Sequence, residues 1–404
     1  MLRLASRRAR YTTFGAALCL LILFTTHLYV NLDPGALRSS HAFTSSPQDL
    51  EPAVVTLPRI LLVSAFFPLP KSKHSLSDYH AWLTRFLAPV TTHLYFFCPP
   101  NLAPLVRELR GDLPMTLNTS FTSPFDIPPL RGLEPRYEEM HGWDRESKLH
   151  SPELYAVWNC KAFFLDEGVR SARAGGVEYH YAFWSDAGSM RDDHTYRDWP
   201  GARRVQQVFE EGERLSGTPR DQLIFFPVWG LPSSNFSSWT EPAGPVDEDI
   251  SEGSFFGGTP DAIAAYRRLF YTYHDLYLER SLFVGKDQTL INALFLLHPA
   301  HFFSVWFYDR AAPGVDAHAS SPLGSCGGTW WYYQWWIADQ DERERMADIW
   351  ALPGQTKWTW ASWWSENKRC QDTRILTMVE FLKRAFGVGW AGPHASVEWE
   401  TEVD

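Results

Sequence analysis

The stretch RILLVSAFF (59–67) decides the fold class, because an unbroken apolar run of this kind is typical of a strand buried on both faces of a parallel sheet. Apolar residues then recur at helical spacing over 75–90, strand character returns over 91–97, and a short helix over 102–111 is closed by Gly111. Strand and helix alternate, as expected of an α/β sheet with crossover helices. The sequence therefore predicts an open, mostly parallel twisted sheet flanked by helices.

The rest of the chain continues this pattern. Pro-rich and charged residues between Ser120 and His150 predict a long surface loop, and ELYAVWNCKAFFLDEGVRSAR (153–173) predicts one helix. Further strands are predicted in VEYHYAFWSD (177–186), QLIFFPVW (222–229) and HFFSVWFY (301–308), and further helices over 260–280 and 287–299. No internal repeat and no linker to a second domain interrupt the sequence.

The N-terminus predicts a membrane anchor. Residues 1–10 carry four Arg and no acid, and residues 11–30 hold no charged side chain. Twenty helical residues span about 30 Å, the thickness of the hydrocarbon core, whereas the apolar part of a cleaved signal peptide is shorter. The Arg cluster favours a cytoplasmic tail over 1–10 and a transmembrane signal anchor over 11–30. A flexible stem over 31–57 and a luminal domain over 58–404 follow, as in a single-pass type II membrane protein.

Composition and cysteine usage agree with that topology. The formal net charge of −10 excludes a broad nucleic-acid-binding surface. Four cysteines lie beyond the anchor and could form two disulfides in any of three pairings. They show no CxxC spacing, so a zinc site is not expected. Two sequons, at Asn118 and Asn235, fit a glycoprotein of the secretory pathway.

Asp186 stands at the end of an apolar strand, in the sequence FWSDAGSMR (183–191). Ligands of open α/β sheets bind beyond the carboxyl ends of the strands. A carboxylate there, followed by small Ala187 and Gly188, suits a divalent cation that bridges phosphate oxygens. A structural strand-end or helix-capping acid is the alternative interpretation.

Two further motifs favour a ligand site without deciding it. ISEGSFFGGTPDAI (250–263) places glycines before a helix start, which is typical of phosphate-binding loops but also of a tight turn. VGKDQTLIN (284–292) places Asp287 at a helix N-terminus, where it is either a capping acid or an acceptor-side base.

The order of four segments resembles the HtrL/YibB-type family of putative glycosyltransferases and, more loosely, the GT-A nucleotide-sugar transferases. The segments are WNCKAFFL, FWSDAGSMR, SEGSFFGGTPDAI and GKDQTLIN. The resemblance covers about residues 60–309 and implies a GT-A-like fold. It implies that Asp186 binds the metal (Mn²⁺ or Mg²⁺) and the donor phosphates, although Ser-Asp-Ala-Gly replaces the usual pair of acids. The implied donor-binding residues are Asn159, Lys161, Asp186, Gly188 and Arg191. The implied acceptor or donor-sugar loop is Phe255, Phe256, Gly257 and Gly258.

The predicted activity is the transfer of a sugar from a nucleotide-sugar to a glycan or glycoprotein acceptor. Asp287 or Glu252 would take the proton of the acceptor hydroxyl, and cations would neutralise the leaving diphosphate. The alternatives are an inactive glycan-binding protein of the same fold and a glycoside hydrolase with paired carboxylates such as Asp186 and Glu252. The Trp-rich segment over 329–364 either packs in the core or lines a sugar groove.

Overall fold

The computed structural model describes residues 56–69, 71, 74–313, 315, 321–351 and 369–400. The predicted tail, the predicted anchor and all but the last two residues of the predicted stem lie outside the described residues. Within the described ranges, none of the helices combines the length and the apolar character needed to span a bilayer.

The described residues form an eight-stranded sheet in the order β3-β2-β1-β4-β6-β5-β7-β8. The strands are β1 (Ile60–Ala65), β2 (His93–Phe97), β3 (Met115–Asn118), β4 (Tyr181–Ser185), β5 (Ile224–Phe225), β6 (Phe255–Gly258), β7 (Phe302–Val305) and β8 (Ile375–Thr377).

Eleven helices are described around the sheet. They are α1 (Leu76–Leu87), α2 (Ala103–Arg110), α3 (Glu134–His141), α4 (Pro152–Asn159), α5 (Lys161–Ala174), α6 (Ala202–Ser216), α7 (Pro260–Glu279), α8 (Asp287–Leu297), α9 (Tyr332–Trp336), α10 (Gln340–Ala351) and α11 (Met378–Phe386).

The predicted α/β class is confirmed, and the sheet is mixed. Strands β1 to β4 are mutually parallel, and β5 and β7 run in the same direction as they do. Strands β6 and β8 run the opposite way, so β4–β6, β6–β5 and β7–β8 are antiparallel pairs. Because β1 and β4 are parallel neighbours, their carboxyl ends open at one edge of the sheet.

Both faces of the sheet are buried, which explains the unbroken apolar run of β1. Leu61 and Val63 pack in one core layer with residues of α5, α7 and α8. Ile60 and Leu62 pack in a second layer with residues of α1, α6 and α9. Alternate side chains of a strand point to opposite faces, so a strand covered on both sides is apolar at every position.

The region between Ser120 and His150 is not the predicted surface loop. Two 3₁₀ turns, Pro124–Asp126 and Pro128–Leu130, precede α3, in which Tyr137 and Met140 are fully buried. The Tyr137 hydroxyl lies 2.7 Å from His274 Nε2 on α7. The prolines of this region start short helical turns. The Pro-rich, charged composition is equally typical of a loop, so it does not predict these turns.

The cysteines form one disulfide in the described part of the chain, between Cys326 and Cys370. Cys98 and Cys160 are buried free thiols. The prediction of a second disulfide is therefore wrong. Cys98 follows β2 in one core layer, and Cys160 lies between α4 and α5 in the other.

Candidate active site

Asp186 directly follows β4 at the carboxyl edge of the sheet. The Ser64 hydroxyl donates to the Ser185 carbonyl at 2.6 Å, and the Asp186 N–H donates to the Ser254 carbonyl at 2.8 Å, so the strand end is fixed from both sides. The Asp186 carboxylate accepts a hydrogen bond from Trp184 Nε1 at 2.6 Å, and its side chain remains 32% exposed. Asp186 is therefore held in place by Trp184 and is still partly open to solvent.

Lys161 is the partner of Asp186. It is the first residue of α5, and its side chain is only 6% exposed. Its ammonium lies 3.2 Å from Asp186 Oδ1 and 3.0 Å from Asp287 Oδ2, and it donates to the Gly253 carbonyl at 2.9 Å. Burial alone would lower the pKa of this amine, but the neighbouring Asp186 and Asp287 outweigh burial and hold the pKa above its usual value. Lys161 is therefore a buried lysine whose charged form is favoured by two carboxylates.

Asp287 stands at the first position of α8, where Oδ1 accepts a hydrogen bond from the Gln288 N–H at 3.0 Å. Burial raises the pKa of this carboxyl, and Lys161 opposes the rise. Asp287 is 4% exposed and does not line the cleft described below.

Glu252 is buried close to Asp186 and Lys161. Its carboxylate accepts from the Ser254 N–H at 3.1 Å, from the Ser254 hydroxyl at 2.6 Å and from Trp330 Nε1. Burial nevertheless raises its pKa to about 8, with Asp186 adding to the rise. Glu252 also stays outside the lining of the cleft.

A cleft of about 420 Å³ opens beside Asp186 at the carboxyl ends of β1 and β4. Its lining combines three cationic side chains with aromatic walls. The cationic residues are Lys71, Lys161 and Arg191; the carboxylates are Glu146 and Asp186; the tryptophans are Trp82, Trp158, Trp184 and Trp331. Glu146 is paired with Lys286, so cationic charge exceeds free carboxylate charge in the lining. In a chain of net charge −10, this is a local surface suited to an anion.

The exposed wall of the cleft is built around Arg191. Its guanidinium carbon lies 4.5 Å from the ring centroid of Trp82 and 5.2 Å from that of Trp331. Gly188 makes room for this arrangement, since a Cβ there would lie 3.3 Å from Trp82 Cε3. Flat aromatic faces with a cation between them suit a sugar ring or a nucleobase.

The structure thus brings together Lys161, Asp186, Gly188 and Arg191 in the cleft, with Asp287 next to Lys161 and Glu252 buried close by. It does not place Asn159 there. The Asn159 side chain is fully buried and donates to the Tyr137 hydroxyl at 2.8 Å and to the Val284 carbonyl at 2.9 Å. Asn159 ties α4 to α3 and to the segment before α8, so the predicted donor contact is wrong.

The predicted sugar loop is also wrong, because Phe255, Phe256, Gly257 and Gly258 form strand β6 inside the sheet. Phe255 and Phe256 are buried in opposite core layers. A Cβ at Gly257 would lie 2.1 Å from the Ala182 carbonyl oxygen, and one at Gly258 would lie 2.7 Å from that of Leu223. Glycine at these two positions lets the neighbouring strands pack closely. In the sequence, glycines needed for close packing look the same as glycines of a loop motif.

Sequence reasoning missed Trp82 and Lys71 and left Trp331 undecided. Trp82 is half-buried on α1, one turn before the buried Phe86, so the helical period indicates core packing rather than a site. The Trp-rich segment divides between the core and the cleft: Trp335 and Trp336 are buried, whereas Trp331 lines the cleft. The part of this segment over 352–368 lies outside the described residues.

The residues around Asp186 do not fit a divalent cation. The motif FWSDAGSMR contributes one acid, Asp186. The oxygens of Asp186, Asp287 and Gly253 already surround the Lys161 ammonium, which leaves no place among them for a metal ion. The predicted metal role of Asp186 therefore conflicts with the donor set, and no step is assigned to a metal.

A second cluster, Asp144, Glu146 and His150, brings ligand atoms within 4.8 Å of one another. Asp144 Oδ2, however, accepts from the Tyr155 hydroxyl at 2.6 Å and lies 2.6 Å from His150 Nδ1. Glu146 is paired with Lys286. These contacts account for the cluster as a structural network.

No family model matches the sequence, and no curated protein matches it either. The resemblance to the HtrL/YibB-type family therefore stays a prediction.

The chain shares weak similarity with a number of solved structures, of which three are described. Mouse xyloside xylosyltransferase 1, in its apo form, aligns over 61% of this chain and 85% of its own, with 11% identity and a TM-score of 0.34. Core-mannan synthase A from Aspergillus fumigatus, in its Mn/GDP form, aligns over 69% and 81%, with 12% identity and a TM-score of 0.37. CMP:2-keto-3-deoxy-manno-octonic acid synthetase complexed with CTP aligns over 61% and 90%, with 12% identity and a TM-score of 0.24. At these TM-scores the functional conclusion depends on the site itself.

Proposed function

We propose that this protein is a glycosyltransferase that moves a sugar from a nucleotide-sugar donor to a glycan or glycoprotein acceptor. The observation that carries the proposal is the composition of one cleft. Lys71, Lys161 and Arg191 line it together with the exposed edge of Asp186 and the indoles of Trp82 and Trp331. Cations for a diphosphate, a carboxylate and flat aromatic faces are the three elements that this reaction needs.

The cationic side chains have the first task, which is to stabilise the leaving nucleoside diphosphate. Glycosyl transfer breaks the bond between the anomeric carbon and a phosphate oxygen, and negative charge develops on that oxygen. Arg191 is held by the indoles of Trp82 and Trp331 and by a 3.3 Å hydrogen bond from Nε to the Gly188 carbonyl. A cation fixed before the reaction stabilises the developing charge without reorganisation.

Asp186 has the second task in an inverting transfer. It takes the proton of the acceptor hydroxyl while that oxygen forms the new bond to the anomeric carbon. Asp186 is suited to this because its side chain reaches the cleft, whereas Asp287 and Glu252 do not line it. Asp287 then acts as a positioning residue through Lys161, and Glu252 holds Trp330.

The hydrolase alternative lacks its geometry. A glycoside hydrolase needs two carboxyl groups on either side of the scissile bond. Asp186 lines the cleft, but Glu252 is 3% exposed and is occupied by Ser254 and Trp330. The other carboxylate of the lining, Glu146, is paired with Lys286, so a transferase that uses Asp186 alone fits the cleft better.

The setting of the reaction is part of the proposal. The charge-free stretch over 11–30 supports a type II anchor, and one disulfide between Cys326 and Cys370 supports an oxidising compartment, for which we propose the Golgi lumen. The acceptor would then be a glycan or glycoprotein of the secretory pathway.

Nucleotide binding tests the proposal. Thermal unfolding of the purified full chain is measured with UDP, GDP and CMP in turn. A nucleotide at about 100 times its dissociation constant stabilises the protein by about 2.7 kcal/mol, which is visible as a raised melting temperature. We expect one nucleotide to stabilise the wild type and its sugar conjugate to be consumed when acceptor glycans are supplied.

Two variants sharpen the result. Asp186→Asn should lower sugar transfer by about 100-fold or more, since it removes the carboxylate that accepts the proton. Asp112→Asn, a change at an exposed residue after α2, is the matched control and should transfer sugar normally. A protein that no nucleotide stabilises, or an Asp186→Asn variant with full transfer activity, contradicts the proposal.

A further inference from the structure

Three oxygens from separate parts of the chain converge on the ammonium of Lys161. Gly253 O lies 2.9 Å from Nζ, Asp287 Oδ2 lies 3.0 Å from it, and Asp186 Oδ1 lies 3.2 Å from it. Carboxylate and backbone carbonyl oxygens are the ligands that Mg²⁺, Mn²⁺ and Ca²⁺ prefer. The fold has therefore assembled a set of cation ligands and placed a lysine at its centre.

The ammonium and a divalent cation cannot share this position. Metal–oxygen distances of about 2.0–2.6 Å would require the same oxygens to close in on the ion. A cation at that point would also lie against the positive charge of Lys161. Displacing the ammonium is costly, because the side chain is 6% exposed and a buried charge without its partners is strongly unfavourable.

The backbone keeps the ammonium where it is. Lys161 opens α5, and its neighbours Cys160 and Ala162 are 0% and 2% exposed in the core layer under the sheet. The backbone position of Lys161 is therefore fixed, and a swing of its side chain would leave Asp186 and Asp287 without their cation. The lysine is a built-in part of the site.

We propose that Lys161 is the resident cation of this site and that nucleotide binding and sugar transfer proceed without a divalent metal ion. The inference rests on the proposed function for the identity of the substrate. In place of a metal, Arg191 and Lys71 meet the diphosphate in the cleft, and Lys161 holds Asp186 in position from beneath.

The first test compares nucleotide binding with and without metal. Thermal unfolding of the full chain is measured with UDP, GDP and CMP, once in EDTA and once in Mn²⁺. We expect the nucleotide that binds to raise the melting temperature equally in both conditions. A nucleotide that binds only with Mn²⁺ overturns this inference and leaves the proposed function standing.

The second test needs no nucleotide, so it decides whether Lys161 occupies the cation position even if the proposed function fails. Removal of the amine in Lys161→Ala leaves the oxygens of Asp186, Asp287 and Gly253 without a cation. We expect Mn²⁺ alone to raise the melting temperature of this variant and to leave that of the wild type unchanged. Lys383→Met, on α11 and outside the cleft lining, is the control and should behave as the wild type.

A double variant identifies the responsible oxygens. Lys161→Ala combined with Asp186→Asn should lose the response to Mn²⁺, which separates this site from the Asp144, Glu146 and His150 cluster. A wild type that Mn²⁺ stabilises through Asp186, or a Lys161→Ala variant without any response to Mn²⁺, overturns the inference. If Lys161→Ala does not fold, the EDTA comparison on the wild type decides alone.

Discussion

At the scale of single residues, Asp186 shows why an apolar strand ends on one acid. Its carboxylate is held by Trp184 Nε1 and by Lys161, and the remaining surface faces the cleft. The position of Asp186 at the sheet edge follows from the strand pattern. Its pairing with Lys161 does not, because the two residues lie in different elements and meet only after α5 has packed on the sheet.

Glu252 predicts a pH dependence of stability. Its pKa in the folded chain is about 8, against an ordinary value of 4.5, so the folded state binds more protons than the unfolded state between these pH values. The free energy of unfolding should therefore fall as the pH rises through this window. Glu252→Gln removes the titrating group, and denaturant unfolding of both proteins across the window should show the wild type losing stability relative to the variant.

The matched control for this experiment is Glu279→Gln, at an exposed residue that ends α7. Wild-type and Glu252→Gln curves that stay parallel from about pH 4.5 to 8 would mean that the folded protein keeps Glu252 ionised.

At the scale of elements, the sequence is most informative where apolar residues recur with a regular helical or strand period. Strands β1, β2, β4 and β7 and helices α1, α2, α7 and α8 were predicted close to their observed positions. The predicted helix over 153–173 is instead two helices, because Cys160 with φ −85° and ψ −9° ends α4 and starts α5. Because of this break, Lys161 is the first residue of α5. Neither glycine nor proline stands at the break, so the sequence does not predict it.

The candidate site was predictable only in part, for a related reason. Lys161, Asp186, Gly188 and Arg191, which the resemblance implies to be donor-binding residues, lie together in the cleft, and their role stays a prediction. The indoles of Trp82 and Trp331 are brought to Arg191 from distant segments by tertiary packing, which leaves no local signal. The Gly-rich motif leaves a phosphate-binding loop and a tight turn both open, because close packing of strands and binding of phosphate both require residues without a Cβ.

Strand β6 gives a direct test of this explanation. Gly257→Ala should lower the free energy of unfolding by about 2 kcal/mol or more, since the new Cβ would lie 2.1 Å from the Ala182 carbonyl oxygen and force β4 and β6 apart. Gly389→Ala is the control, because no atom lies within 4 Å of a Cβ at that position. Chemical denaturation measures both, and a Gly257→Ala variant as stable as the wild type would contradict the close packing seen here.

At the scale of the whole molecule, one disulfide joins the segment before Trp330 and Trp331 to the segment before β8. Cys326 and Cys370 are 44 residues apart, and a loop of this length contributes about 4 kcal/mol by restricting the unfolded chain. Changing both cysteines to serine should therefore lower the melting temperature clearly. A reductant should do the same to the wild type and have no effect on the variant, as followed by thermal unfolding.

Reductant on the double serine variant is also the control for the buried thiols Cys98 and Cys160, which are free in both proteins. A wild type whose melting temperature does not change under reducing conditions would show that the bond adds little to stability.

The position of β6 beside β4 has a consequence for how the chain is made. On the ribosome, β4 is complete about 70 residues before its partner β6 has been synthesised. Until then the edge of β4, with the apolar sequence YAFWS, has no neighbour on that side. Unpaired apolar edges recruit other chains, so fragments that stop before Phe255 will aggregate even though they contain β1 to β4. A shortened chain for biochemical work must therefore extend beyond β6.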